Sequence, residues 1–322
     1  MRLLPVSNVR TLLIGVFINL LVVSSFAQDN DTITVDTTLV DVGVMVRSKD
    51  GRAVKGLSKE NFKVFDNGQE QEIVLFSDET APVSYGFVYD LHPAASEKTR
   101  LILDSIRKFT GNLGNADDFF TIVFNERGSL VLDFVPSVDQ VTRHLSLGER
   151  NEPSSLYDAV FLAAEKVEER PNVKKTLIII SDGKDEDSHH SFNELSRLLK
   201  NVNVQVFSIL VGEEPVYRYS DITLGKQPRS LDEDLSLDRA ALAELSKQSG
   251  GNVQERPADN VLNLVSLYKR IDLEMRSQYS LGFYPEKVDG KWHDLKVDVE
   301  MLDGSREAKL TYRKGYQSPP QQ

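Results

Sequence analysis

The sequence predicts an α/β fold: a doubly wound, mostly parallel sheet accompanied by a small antiparallel β unit built from the N- and C-terminal segments. Three observations predict it. Short, almost wholly apolar runs at Val83 to Tyr89, Phe119 to Phe124, Leu177 to Ile180 and Val204 to Val211 suit strands covered on both faces. Between and after them, Ile102, Ile106, Phe109 and Leu113, then Leu156, Val160, Ala163 and Val167, then Leu264, Tyr268, Ile271 and Met275 repeat at helical spacing. Strands alternating with such helices give a parallel sheet with helices on its two faces. At both ends of the chain the periodicity changes to two. Val40, Val42, Val44 and Val46 alternate with Asp41, Gly43, Met45 and Arg47, which predicts one buried face and one wet face.

Turn signals divide the outer segments. Asp50-Gly51 and Asn67-Gly68 supply the positive-φ pairs that tight hairpins use, the second placed between Phe62-Val64-Phe65 and Ile73-Leu75-Phe76. Near the other end, Tyr279 to Tyr284, Leu295 to Val299 and Lys309 to Tyr312 read as strands separated by Asp289-Gly290 and Asp303-Gly304. Each outer segment is too small to hold a core alone, so the two are expected to meet as one β-sandwich-like unit. The boundaries that follow are 28–80 for the first β segment, 81–277 for the α/β domain, 278–316 for the closing β segment and 317–322 for a disordered tail.

The leader is distinct from everything after it. Arg2 and Arg10 are its only charged side chains, Leu12 to Val23 is nearly all apolar, and Ser25-Phe26-Ala27 is a small-x-small triplet before polar Gln28-Asp29-Asn30. That pattern predicts a secretory signal peptide over 1–27, cleaved after Ala27, because the apolar core is shorter than the roughly 20 residues of a spanning helix. The expected location is secreted or periplasmic, with no stable membrane span after cleavage.

Composition narrows the function classes. The 322 residues carry 38 Lys and Arg against 49 Asp and Glu, a net charge of −11, which disfavours phosphate-backbone binding and so nucleic acid. With Cys 0 there is no disulfide scaffold, thiolate metal site or thiol nucleophile. No Gly-x-Ser-x-Gly, Gly-x-Gly-x-x-Gly, P-loop or His-Glu-x-x-His occurs, which removes the commonest hydrolase, nucleotide and metalloprotease signatures. The chain is therefore expected not to be an enzyme. A hydrolase whose catalytic groups converge only in space is the rival class.

Several stretches together resemble the bacterial von Willebrand factor A-related secreted proteins. They are Asp50-Gly-Arg-Ala-Val-Lys-Gly-Leu-Ser-Lys-Glu-Asn-Phe-Lys-Val-Phe-Asp-Asn-Gly68 ahead of the α/β region, then Gln278-Tyr-Ser-Leu-Gly-Phe-Tyr-Pro285 and Arg313-Lys-Gly-Tyr316 after it. The resemblance implies a protein-interaction or adhesion module, with a divalent cation in many members at the carboxyl end of the sheet. The family's Asp-x-Ser-x-Ser motif, loop Thr and final Asp correspond here to Asp90, Ser154 and Asp182, while His92 and Ala94 stand where the two serines would be. Mg²⁺ favours about six hard oxygens, so the site is degenerate: either it holds one divalent cation or it is a relic that binds its partner with none. Ser96 could supply a hydroxyl if the loop bulges by two residues. With His92 as a ligand the mixed donor set suits Zn²⁺ or Mn²⁺ better than Mg²⁺.

Other features have plainer readings. The acidic stretch Asp182 to Asp187 reads as solvated charge without the spacing of a calcium loop. His189 and His190 are expected at a helix start and bind nothing; His144 and His293 are expected at the surface; Trp292 is expected to cover the small β core. The loop Gly212 to Asp238, with Val216-Tyr-Arg-Tyr219, is long enough to dock on something. It is the basis of an alternative role, an envelope assembly component that binds partners through this loop or the β unit without metal.

Overall fold

A computed structural model of the chain describes residues 39–90, 97–124, 130–132, 155–211, 232–254, 260–302 and 307–319, without the side chains of 90, 97–99, 130–132 and 232–238. All of these fall in one compact unit, Thr38–Gln322. In chain order the strands are β1 (Val40–Arg47), β2 (Phe62–Asp66), β3 (Gln69–Gln71), β4 (Leu75–Ser77), β5 (Val83–Asp90), β6 (Asp118–Phe124), β7 (Leu130–Leu132), β8 (Lys174–Ser181), β9 (Gln205–Leu210), β10 (Val253–Gln254), β11 (Gln278–Phe283), β12 (Trp292–Val299), β13 (Lys309–Thr311) and β14 (Gly315–Gln317). The helices are α1 (Glu97–Thr110), α2 (Leu156–Glu168), α3 (Phe192–Asn201), α4 (Asp232–Gln248) and α5 (Val261–Arg276).

The central sheet runs β10-β9-β8-β5-β6-β7, parallel throughout except for β7, which is antiparallel to β6. It is the doubly wound α/β sheet that the apolar runs predict. Tyr85, Phe87 and Tyr89 of β5 point to one face, where α1 and α5 close a core with Ile106, Phe109, Leu264 and Tyr268. Val88 of β5 points to the other, where α2, α3 and α4 contribute Val160, Leu195 and Leu245. Gly86 is required at its position: a Cβ there would lie 2.5 Å from Leu177 and 2.6 Å from Phe120, side chains of the two neighbouring strands.

Two four-stranded sheets, β13-β1-β11-β4 and β14-β12-β2-β3, take strands from both chain ends. They enclose a second core of Val42, Val44, Val46, Phe62, Val64, Tyr279, Leu281, Phe283, Leu295 and Val297. The valines of β1 point inward as their alternation predicts. The opposite face of β1 is not wet, however. Asp41 and Met45 are buried, and Asp41 accepts from Asn203 Nδ2 at 2.8 Å. Close by, Gln278 Nε2 donates to Gln205 Oε1 at 2.6 Å. That face lies against the amino end of the parallel sheet rather than against solvent.

Four further expectations need correction. The Asn67-Gly68 turn forms with positive φ at both residues (48° and 85°). Its two-residue span fixes Asp66 opposite Gln69, so β2 pairs with Gln69–Gln71 and not with Ile73 to Phe76. Instead Leu75–Ser77 crosses to the other sheet and pairs with β11. The loop expected over 212–238 is already helical from Asp232, and 212–231 lies outside the described residues. Gln317, Ser318 and Pro319 belong to the fold, against the expected tail from 317. Ser318 is buried, its N–H donates to Lys291 O at 2.8 Å, and Pro319 O accepts from Gly290 N at 2.9 Å. Trp292 does not cover the sandwich core, because it alternates outward from buried His293 and Leu295. It is 43% exposed and has the Lys200 ammonium of α3 5.7 Å from its ring centre.

Candidate site at the carboxyl end of the sheet

In an open α/β sheet, ligands sit beyond the carboxyl ends of the strands. β5 and β8 are neighbours, with Tyr89 opposite Ile180, so Asp90 ends one strand beside the strand from which Asp182 emerges. Asp182 is part-exposed, and its Oδ1 accepts from the amide of Lys184 at 3.0 Å. Gly183, at φ 99°, makes this sharp exit from the strand, and its N–H donates to Ser181 Oγ at 3.0 Å.

The loop beyond Asp182 is fastened to the first turn of α2. Asp185 Oδ1 accepts from the backbone N–H of Tyr157 at 3.0 Å and from Ser188 Oγ at 2.6 Å. The N–H of Asp158 donates to Ser188 Oγ at 3.1 Å. In return the Asp158 carboxylate accepts from the amides of His189 (3.0 Å) and His190 (2.9 Å) and faces both imidazole Nδ1 atoms. Helix N-termini favour such acceptors because their first N–H groups have no partner within the helix.

The two carboxylates titrate in opposite directions. Burial works against ionising Asp158, but the amides and rings of His189 and His190 outweigh it and lower its pKa to about 2. For Asp185 burial prevails over the bonds from Ser188 and Tyr157, and its pKa is raised.

The acidic stretch is thus not simply solvated charge, since Asp185 is an anchor of the loop. His189 and His190 do precede a helix: Ser191 caps α3, with its Oγ accepting from Glu194 N at 3.3 Å. The His190 ring also stacks on Phe161 at 3.9 Å. Asp158 was not among the residues expected to matter, although its place in the first turn of a predicted helix was the available signal.

Residues 133–244 match the family model of the von Willebrand factor type A domain. Over these residues, about a third of the chain, the sequence is that of a von Willebrand factor type A domain. Among solved structures, one that it resembles is an aerotolerance-related membrane protein from Bacteroides fragilis, 17% identical over 60% of this chain and 98% of that one, with a TM-score of 0.41. Another is BatB from Bacteroides thetaiotaomicron, 18% identical over 60% and 97%, with a TM-score of 0.39. A von Willebrand factor type A protein from Catenulispora acidiphila is 10% identical over 88% and 74%, with a TM-score of 0.42. No curated protein matches the chain.

Type A domains often bind a divalent cation. Of the residues expected to hold one here, His92, Ser96 and Ser154 lie outside the described residues, as does the side chain of Asp90. Among the described residues no group of three or more His, Asp or Glu side chains is placed to hold a metal. Asp182 is thus the member of the expected set whose side chain is described, and Asp158 and Asp185 beside it are engaged by backbone amides.

Proposed function

We propose that this is an exported, non-enzymatic binding module whose partner is a protein or other envelope component. The partner docks on the carboxyl end of the sheet, over Asp90, the start of α2 and Asp182. The observation that carries this reading is the reciprocal fastening of the 182–190 loop to α2 through Asp158 and Asp185. A loop already held in one shape loses little freedom when a partner binds, so more of the contact energy becomes affinity. Export rests on the leader and its Ser25-Phe26-Ala27 triplet. In addition, among the described residues no helix is long and apolar enough to cross a membrane.

In its finer form the site holds a divalent cation on Asp90, His92, Ser154 and Asp182, with Ser96 as a further hydroxyl. The ion is Mg²⁺ or Mn²⁺, or Zn²⁺ where the imidazole is a ligand. Thermal unfolding of the chain in EDTA and then with each ion, beside Asp182→Ala, tests that form. An ion at 100 times its dissociation constant adds about 2.7 kcal/mol. A rise that one ion gives and Asp182→Ala abolishes supports the cation form, and no rise with any ion rejects it. The broader reading is tested by retention of envelope proteins on the immobilised chain. Binding that survives Asp182→Ala unchanged would overturn it and move attention to the assembly alternative.

A further inference from the structure

His293, which the sequence places at the surface, is 2% exposed. Each of its ring nitrogens meets a carboxylate. Nδ1 lies 2.8 and 2.9 Å from the two oxygens of Asp66, and Nε2 lies 3.2 Å from Asp289 Oδ1. An ionised carboxylate only accepts, so both nitrogens are satisfied only when both carry protons. The Tyr316 hydroxyl donates to Asp66 Oδ2 at 2.9 Å and lies 3.1 Å from Nδ1.

The four residues come from four places: the end of β2, the 289–291 turn, β12 and β14. The other charged groups around them are few. The Arg313 guanidinium lies 6.0 Å from the Tyr316 ring centre. Lys291 adds its charge beside Asp289, whose Oδ1 also accepts from the Lys291 amide at 3.0 Å. Asp294 points the other way, to Trp292 Nε1. Phe283 supplies an apolar wall, its ring 6.3 Å from that of Tyr316. The same corner ties down the end of the chain, where the Asp289 amide donates to Ser318 Oγ at 3.2 Å and β14 pairs with Trp292 to Asp294.

We propose that His293 is a proton-operated latch: as an imidazolium it bridges Asp66 and Asp289 and holds β14 and residues 317–319 on the sandwich, and on losing its proton it releases them. A neutral ring would turn a lone pair toward one of the two carboxylates, so that two acceptors face each other there and the ring loses one of its two bridging bonds. Tyr316 shares Asp66 with the ring, so the disturbance reaches β14 directly.

The direction with pH follows. Burial alone favours the neutral ring, but the bonds to Asp66 and Asp289 override it and raise the pKa above the ordinary 6.5. A histidine raised on folding contributes stability that is complete below 6.5 and is lost as pH rises through the native value.

The test is ¹⁵N NMR of the His293 ring in the full chain, assigned with His293→Gln, together with amide exchange of Tyr316 and Ser318 from pH 6 to about 9. At pH 6.5 both ring nitrogens should be protonated. Above it, beyond the intrinsic rise in exchange, the two amides should lose protection by up to about tenfold per pH unit, while amides of β8 do not. Asp289→Asn keeps the Asp66 pairing and should move the ring titration and the loss of protection to lower pH together. It also serves if His293→Gln fails to fold. A neutral ring at pH 6.5, or a ring that titrates while protection at 316 and 318 stays constant, would overturn the latch.

Discussion

The two ends of the parallel sheet use their polar side chains in opposite ways. At the amino end they join parts of the fold. Part-buried Asp117 receives Arg276 Nη2 at 2.6 Å and the amides of Val83 (2.9 Å) and Gly114 (2.8 Å). Arg276 also reaches Asp272 at 2.8 Å, and Tyr85 donates to the same carboxylate. Lys174 Nζ donates to Arg276 O at 3.2 Å; burial lowers its pKa to about 8, with the charges of Asp78 and Glu79 pulling it back up. These residues surround the two chain crossings into the sandwich, before β5 and before β11. At the carboxyl end Asp158 and Asp185 fasten one loop, while Asp182 stays part-exposed. One end is a joint and the other is the surface we propose for binding, so substitutions at the two ends should fail in different assays.

Arg276→Ala should have the largest effect on stability. It takes the guanidinium from Asp117, whose side chain is 2% exposed; because the amides of Val83 and Gly114 remain, the loss should be about 3 kcal/mol, the low end for breaking a buried pair. Urea unfolding measures this, and a loss below about 1 kcal/mol would deny the amino end its role as a joint.

Asp41, between the sandwich and the parallel sheet, should come second. Burial raises its pKa to about 6 from 3.8, against the pull of Arg313. Stability from this group is therefore complete below pH 3.8 and is lost as pH rises through about 6. The pH slope of Asp41→Asn should differ from that of the unaltered chain by up to about 3 kcal/mol across that window, near 1.36 kcal/mol per unit. Parallel slopes would mean that Asp41 is hydrated.

At the carboxyl end, Asp158→Ala should cost about 1–2 kcal/mol through the freed amides of His189 and His190. The contribution of Asp158 is present above pH 3.8 and fades as pH falls through about 2, so acid titration of the two proteins should converge there. Asp182→Ala should cost least, within about 0.5 kcal/mol, because the lost contact is one turn bond on a part-exposed residue.

Much of the α/β domain was legible in the sequence. β5, β6, β8 and β9 each fall on an apolar run, and α1, α2 and α5 follow helical spacing, because a strand or helix with covered faces must show its burial in its own residues. The sandwich was harder to read. There the turn geometry at Asn67-Gly68, rather than the apolar run Ile73 to Phe76, decides which residues pair with β2. The wet face expected of β1 failed because its cover, Asn203 and Gln205, comes from far along the chain. His293 was misread for the same reason, since Asp66 is 227 residues away in sequence. At the candidate site, the Asp182 turn follows from Ser181-Asp182-Gly183, whereas the exchange between Asp158 and the amides 31 and 32 residues later does not appear in any local pattern.

The most direct test of a working carboxyl end is retention of envelope proteins on the immobilised chain carrying Asp182→Ala, beside its melting curve. The account predicts that the proteins held by the unaltered chain are lost while the melting midpoint moves by no more than about 2 °C. An unchanged set of bound proteins, with the fold equally intact, would contradict it.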